Sequence, residues 1–300
     1  MKYFLPTLYI ILLPFLTTGC QQHRSQPPPD LPKRSALTAG KAHIDSNLQR
    51  IFQRTITDFR KEQEERLHFG DTLVGISRLF LGAPYEAGTL DKGMREQLVL
   101  NLSSFDCTTL VEQVLALGLA LRQDSILPEV WASEVEQLRY RKGRCEGYGS
   151  RLHYFSEWLT LAAANGTLDY PPDGIKAVPI ERTLDFMSHH RSAYPRLRQD
   201  SVFANILRSE QQLRNHLLYQ LPKNEIKAHE ALMRQGDIVA FVTSIDGLDV
   251  THTGFVYKDS GTTRLLHAST SGKVSISEVP LHQYAARLNN CTGILLARPR

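Results

Sequence analysis

Cysteine is scarce in this chain, with four in 300 residues, at positions 20, 107, 145 and 291. None forms a CxxC pair and no HExxH run occurs, so the common zinc-binding spacings are absent and no metal is expected. An excess of one charge is also lacking. The 35 basic residues are scattered among 31 acidic ones, leaving +4 and no basic stripe, which excludes a nucleic-acid partner. No apolar run is long enough to span a bilayer, because the best of them, 3–16, is interrupted by Pro6 and Pro14. No internal repeat is visible. What remains is ordinary globular material, 42% hydrophobic and 22% charged, enough for one large core or two modest ones.

The first residues stand apart. Lys2, a short apolar run and Thr17-Thr18-Gly19-Cys20 read as a secretory signal. The Gly-Cys junction resembles the lipobox of bacterial lipoproteins, which implies removal of 1–19 and acylation of Cys20. Gln21 in the next position resembles lipoproteins sent to the outer membrane, so the expected place is the cell envelope, facing the periplasm. Residues 20–40 are rich in Gln, Pro, Arg and Ser, with little to bury, and read as an extended tether. The domain proper is expected over 41–300. Only Cys107, Cys145 and Cys291 then remain, so at most one disulfide can form and at least one thiol is free.

Apolar residues recur at helical steps from Ile44 to Phe59, and further helices are expected over 72–80, 128–138, 159–164 and 201–207. The stretch 140–158 gathers Arg151, His153 and Tyr154 among glycines, without periodicity, as a binding loop or a solvated one would. Residues 170–221 show no clear order. From Gly236 onward β-branched runs dominate, with strands expected over 238–243, 250–257, 262–269 and 293–297. Helices first and strands afterwards argue for an α+β fold with an inserted segment at about 122–235.

One stretch carries reactive chemistry. Between 110 and 121 only Glu112 and Gln113 are strongly polar, so this helix should be buried on nearly every side, and Cys107 lies at its mouth. Free N–H groups and the positive dipole end favour a thiolate there. Cys107 is therefore a candidate nucleophile or a buried structural cysteine. Thr109 and Glu112 also fit a capping box, which would start the helix two residues later. Downstream, a loop at 258–261 closed symmetrically would put His252 opposite His267 on one sheet face, their imidazoles in contact. A thiol, a base and a second group that fixes the base's tautomer form the set used in cysteine hydrolases.

The runs Leu81-Gly82-Ala83-Pro84-Tyr85, Phe105-Asp106-Cys107-Thr108-Thr109 and Arg151-Leu152-His153-Tyr154 come first in an ordered set. Gly236-Asp237-Ile238, His252-Thr253-Gly254-Phe255, His267-Ala268-Ser269 and Gly293-Ile294 follow them. Together they resemble the N-acetylmuramoyl-L-alanine amidase-like family of NlpC-type bacterial cell-wall cysteine hydrolases, from about residue 45 onward. The resemblance implies a papain-like fold, its catalytic helix packed on a C-terminal antiparallel sheet. It implies Cys107 as nucleophile, His252 as base, His267 as the group orienting it, and Tyr85 with the Cys107 N–H at the oxyanion. Arg151, His153 and Tyr154 are expected to bind substrate. The implied substrate is peptidoglycan or a muropeptide, cut without a cofactor between N-acetylmuramic acid and L-alanine. The alternatives are an endopeptidase cutting between D-glutamate and the diamino acid, and a lipoprotein that only binds peptidoglycan.

Overall fold

A computed structural model describes residues 44–62, 68–93, 95–214 and 216–300. The expected signal over 1–19, the acylation site Cys20 and the tether to residue 40 lie outside the described residues. The chain opens with α1 (Ser46–Glu62) and α2 (Phe69–Leu79). Asp45 starts α1 by accepting the Leu48 N–H at 2.7 Å, and Phe52, Ile56 and Phe59 form its buried stripe. Next come α3 (Cys107–Ala120), α4 (Pro128–Arg139) and α5 (Phe155–Ala164). Pro128 stands at the first turn of α4, where its missing N–H costs nothing.

From Leu168 to His229 the chain forms β1 (Leu168–Asp169), β2 (Val178–Arg182), α6 (Phe186–His189), α7 (Asp200–Gln212), β3 (His216–Pro222) and α8 (Ile226–His229). The final part is β4 (Ile238–Thr243), β5 (Val250–Asp259), β6 (Thr262–Ser269), β7 (Lys273–Ile276), α9 (Leu281–Arg287) and β8 (Cys291–Pro299). All pairings are antiparallel, and the sheet runs β2-β3-β8-β4-β5-β6-β7, with β1 also on β8. The fold is α+β. The inserted segment is part of the sheet, because β1 and β3 both pair with β8.

Every position of β4 is buried, as expected of a strand covered on both faces. On one face Ile238, Ala240 and Val242 join Phe255, Leu266 and the apolar residues of α3 in the larger core. On the other, Val239 and Phe241 join Val256, Leu265 and Leu281 and Ala285 of α9. A third, smaller cluster of Tyr148, Tyr154, Leu184, Met187, Leu197, Ile206 and Leu213 lies within the inserted segment. Among the described residues no helix is long and apolar enough to cross a membrane.

Candidate active site

Cys107 is the first residue of α3, and the cap is Asp106, three residues before the one a Thr109–Glu112 box would require. Asp106 Oδ1 accepts the Thr109 N–H at 2.7 Å, and Thr109 Oγ1 accepts the Asp106 N–H at 2.9 Å. Glu112 instead faces inward, its carboxylate accepting from Arg139 Nε at 2.9 Å, with both side chains almost fully enclosed. The thiol faces the backbone of Thr253 and the Thr108 hydroxyl. Its acidity runs against the expectation from the helix dipole. Burial first, then the adjacent Asp106 charge, push the Cys107 thiol up to about 11, so the resting group is a thiol. The dipole acts at close range but does not outweigh desolvation and a carboxylate next door.

The histidine strands pair in a different register from the symmetric closure. Asp259 faces Thr262, leaving Ser260 and Gly261 as a two-residue turn, both at positive φ, 46° and 83°. Continued along the strands, that register sets Gly254 opposite His267, and His252 falls one diagonal step away. A shift of two residues keeps each side chain on its face, because the strand repeat is two. The imidazoles therefore still meet, His252 Nε2 lying 2.6 Å from His267 Nδ1. Gly254 makes the room, since a Cβ there would stand 2.9 Å from the His267 Cβ.

Both rings are buried, and burial lowers them, His252 to about 3 and His267 to about 4. They rest neutral. A bond between two ring nitrogens needs one N–H and one lone pair. If His252 donates from Nε2, its Nδ1 is left free to accept a proton, and His267 must carry its own proton on Nε2. Among the described residues no hydrogen bond joins the Cys107 sulfur to either imidazole, and no carboxylate pairs with them. The sulfur and the pair are linked through Thr253, the neighbour of His252.

Two phenols lie within electrostatic reach of the thiol. Tyr85 lies on a strand-like segment tied to the α3 approach: Phe105 N donates to Pro84 O at 3.0 Å and Glu86 N to Phe105 O at 2.9 Å. Burial and then the Cys107 and Asp106 charges raise its pKa. Tyr284, on α9, was not anticipated. Its ring centroid is 5.2 Å from His267, 6.2 Å from His252 and 5.4 Å from Phe241. Leu281, Tyr284 and Ala285 repeat at helical steps after Pro280, which is the signal that could have revealed this helix.

The expected substrate-binding loop is turned inward. Arg151 is buried and bonds Glu96 through Nε at 3.0 Å and Nη2 at 2.8 Å, and Asp91 at 2.9 Å. His153 Nε2 donates to the Tyr148 carbonyl at 2.9 Å, and burial lowers its pKa to about 3. Tyr154 donates to Glu210 at 2.7 Å. A buried cation must be paired, so Arg151 and the aromatics beside it are held within the fold, while Lys142 and Arg144 of the same stretch stay exposed. Among the described residues no group of three or more His, Cys, Asp or Glu side chains is placed to hold a metal ion.

The family model described as AmiA-like, N-acetylmuramoyl-L-alanine amidase-like, matches residues 75–294. A crystal structure of an N-acetylmuramoyl-L-alanine amidase from Bacteroides uniformis is 33% identical, with a TM-score of 0.73 over 77% of this chain and 99% of that one. A Bacteroides fragilis structure described as a candidate xylanase is also 33% identical, with a TM-score of 0.70 over 74% and 98%. A Legionella pneumophila protein at 19% identity shares the fold, with a TM-score of 0.64 over 85% and 93%. No curated protein matches the chain.

Proposed function

The chain belongs to the N-acetylmuramoyl-L-alanine amidase-like family, and on that premise we propose that it is a cysteine hydrolase of papain-like, NlpC type that cuts the amide between N-acetylmuramic acid and L-alanine of peptidoglycan. The observation that carries the reading is the 2.6 Å imidazole pair beside the helix mouth that bears Cys107. The thiol and the base both rest neutral, so proton transfer accompanies attack. As the sulfur bonds to the lactyl carbonyl carbon, its proton passes to His252 Nδ1, while His267 accepts from Nε2 and fixes the ring. In this reading the Cys107 N–H and the Tyr85 hydroxyl donate to the oxyanion. The carbon–nitrogen bond then breaks as His252 returns the proton to the amine. Water, deprotonated by His252, cleaves the thioester and restores the thiol.

Mass analysis of products from a defined muropeptide tests the bond. An intact peptide beginning with L-alanine and a peptide-free sugar are expected. A sugar still bearing L-Ala-D-Glu would establish the endopeptidase reading instead. Cys107→Ser should keep the melting temperature and lose nearly all turnover, on the order of a million-fold by analogy with nucleophile removal in other hydrolases. Full activity in that variant would end the cysteine-hydrolase reading.

A further inference from the structure

Tyr284 is held in place from two sides. On α9, Leu281 and Ala285 are fully buried and anchor the helix on the second core, and Phe241 of β4 lies against the Tyr284 ring at 5.4 Å. The ring meets His267 edge-on, at an interplanar angle of 78°, and lies closer to parallel with His252, at 30°. A short helix that packs by its neighbours thus aims one aromatic residue at both imidazoles. The phenol end is what packing leaves unexplained. The hydroxyl has no hydrogen-bond partner among the described residues, although the side chain is half-buried. Burial, and after it the Cys107 charge, push Tyr284 up to about 12, so it keeps its proton throughout the neutral range and lies within electrostatic reach of the nucleophile. It is not among the enclosed polar atoms that lack a partner, so the hydroxyl opens to solvent at the site and is free to meet a substrate group there.

We propose that Tyr284 is a catalytic residue whose hydroxyl donates a hydrogen bond to the substrate at the scissile amide, from the histidine side of Cys107. Tyr85 comes from the opposite chain segment, before α3, so the two phenols grip the reacting group from different elements. Tyr284 transfers no proton: it donates a bond that strengthens as charge builds on the amide and releases it when the amine departs. The ring has a second use, since its packing on the imidazoles keeps the hydroxyl aimed. This inference rests on the cysteine-hydrolase reading.

The test is Tyr284→Phe, which keeps the ring and removes only the hydroxyl. With a muropeptide substrate, kcat is expected to fall about a hundredfold, the loss typical of one removed transition-state donor, with little change in KM and an unchanged melting temperature. Wild-type kcat, or a loss confined to KM, would overturn the proposal. A loss of thermal stability matching the loss of turnover would also overturn it, by making the hydroxyl structural. Cys107→Ala is assayed in parallel. If that variant retains turnover, the nucleophile assignment has failed on its own account, whatever Tyr284→Phe shows.

Discussion

Asp106 acts on Cys107 in two opposed ways. Its carboxylate caps α3 and so fixes where the thiol stands, yet its charge disfavours the thiolate. Asparagine caps a helix about as well as aspartate but carries no charge. In Asp106→Asn the thiol pKa is expected to drop from about 11, so that the rate of alkylation rises at a lower pH than in the wild type. The direction follows from removing a negative neighbour that had opposed ionisation. An unchanged pH profile would mean that burial alone sets the thiol. At this scale the sequence was informative about identity and less so about environment. Cys107, His252 and His267 could be picked out from spacing. The turn length could not, and the pair survived a wrong register only because the error was an even number of residues. Tyr284 carried no chemical signature, and its placement depends on a helix of seven residues that pattern reading passed over.

The segment from Tyr85 to Asp106 has little regular structure but is clamped from the inserted segment's side. Arg139 Nη1 donates to Val99 O at 2.6 Å, Tyr140 to Glu96 at 2.8 Å and Arg196 Nη1 to Glu96 at 3.0 Å, beside the Arg151 bonds to Glu96 and Asp91. Glu96 is thus the meeting point of two arginines and a tyrosine. The segment they hold starts at the phenol and ends at the cap of the thiol. Arg151→Met is therefore expected to cost about 1.5–3 kcal/mol of unfolding free energy in denaturant titration, the range for lost hydrogen bonds to a charged group, because Arg196 and Tyr140 still pair Glu96. KM should be unchanged at temperatures where the variant stays folded. A raised KM at full stability would restore Arg151 to substrate binding. The helices and strands on either side were legible because their apolar periods are strong. β2 and β3 were not: β2 is largely exposed, and β3 buries Leu218, Gln220 and Leu221 without a clean alternation.

At the scale of the molecule, three apolar clusters divide the labour. The larger one joins the helical part to the sheet, the second seats α9, and the third lets the inserted segment pack on itself. On the proposed peptidoglycan substrate, such a body would gain from being tethered, which is the role the reading gives Cys20. Cys20→Ala is expected to release the protein from membranes on fractionation, and the wild type should carry acyl mass. A soluble wild type with no acyl group would end the lipoprotein reading.

The order of the sheet has a consequence for synthesis. β8 comes last among the described strands, yet it lies between β3 and β4, and β1 leans on it as well. While residues 291–299 are still being made, β4 has only one neighbour and the β2–β3 hairpin has no sheet to join. Both cores stay open along the same gap. The growing chain can form helices and the β4–β7 meander, but the sheet closes only after its middle strand arrives. The thiol, the imidazole pair and the phenol on α9 all precede that strand in the chain. The sheet is thus incomplete while its chain is being made, and a chain cut short before β8 would lack the centre of that sheet, not an edge.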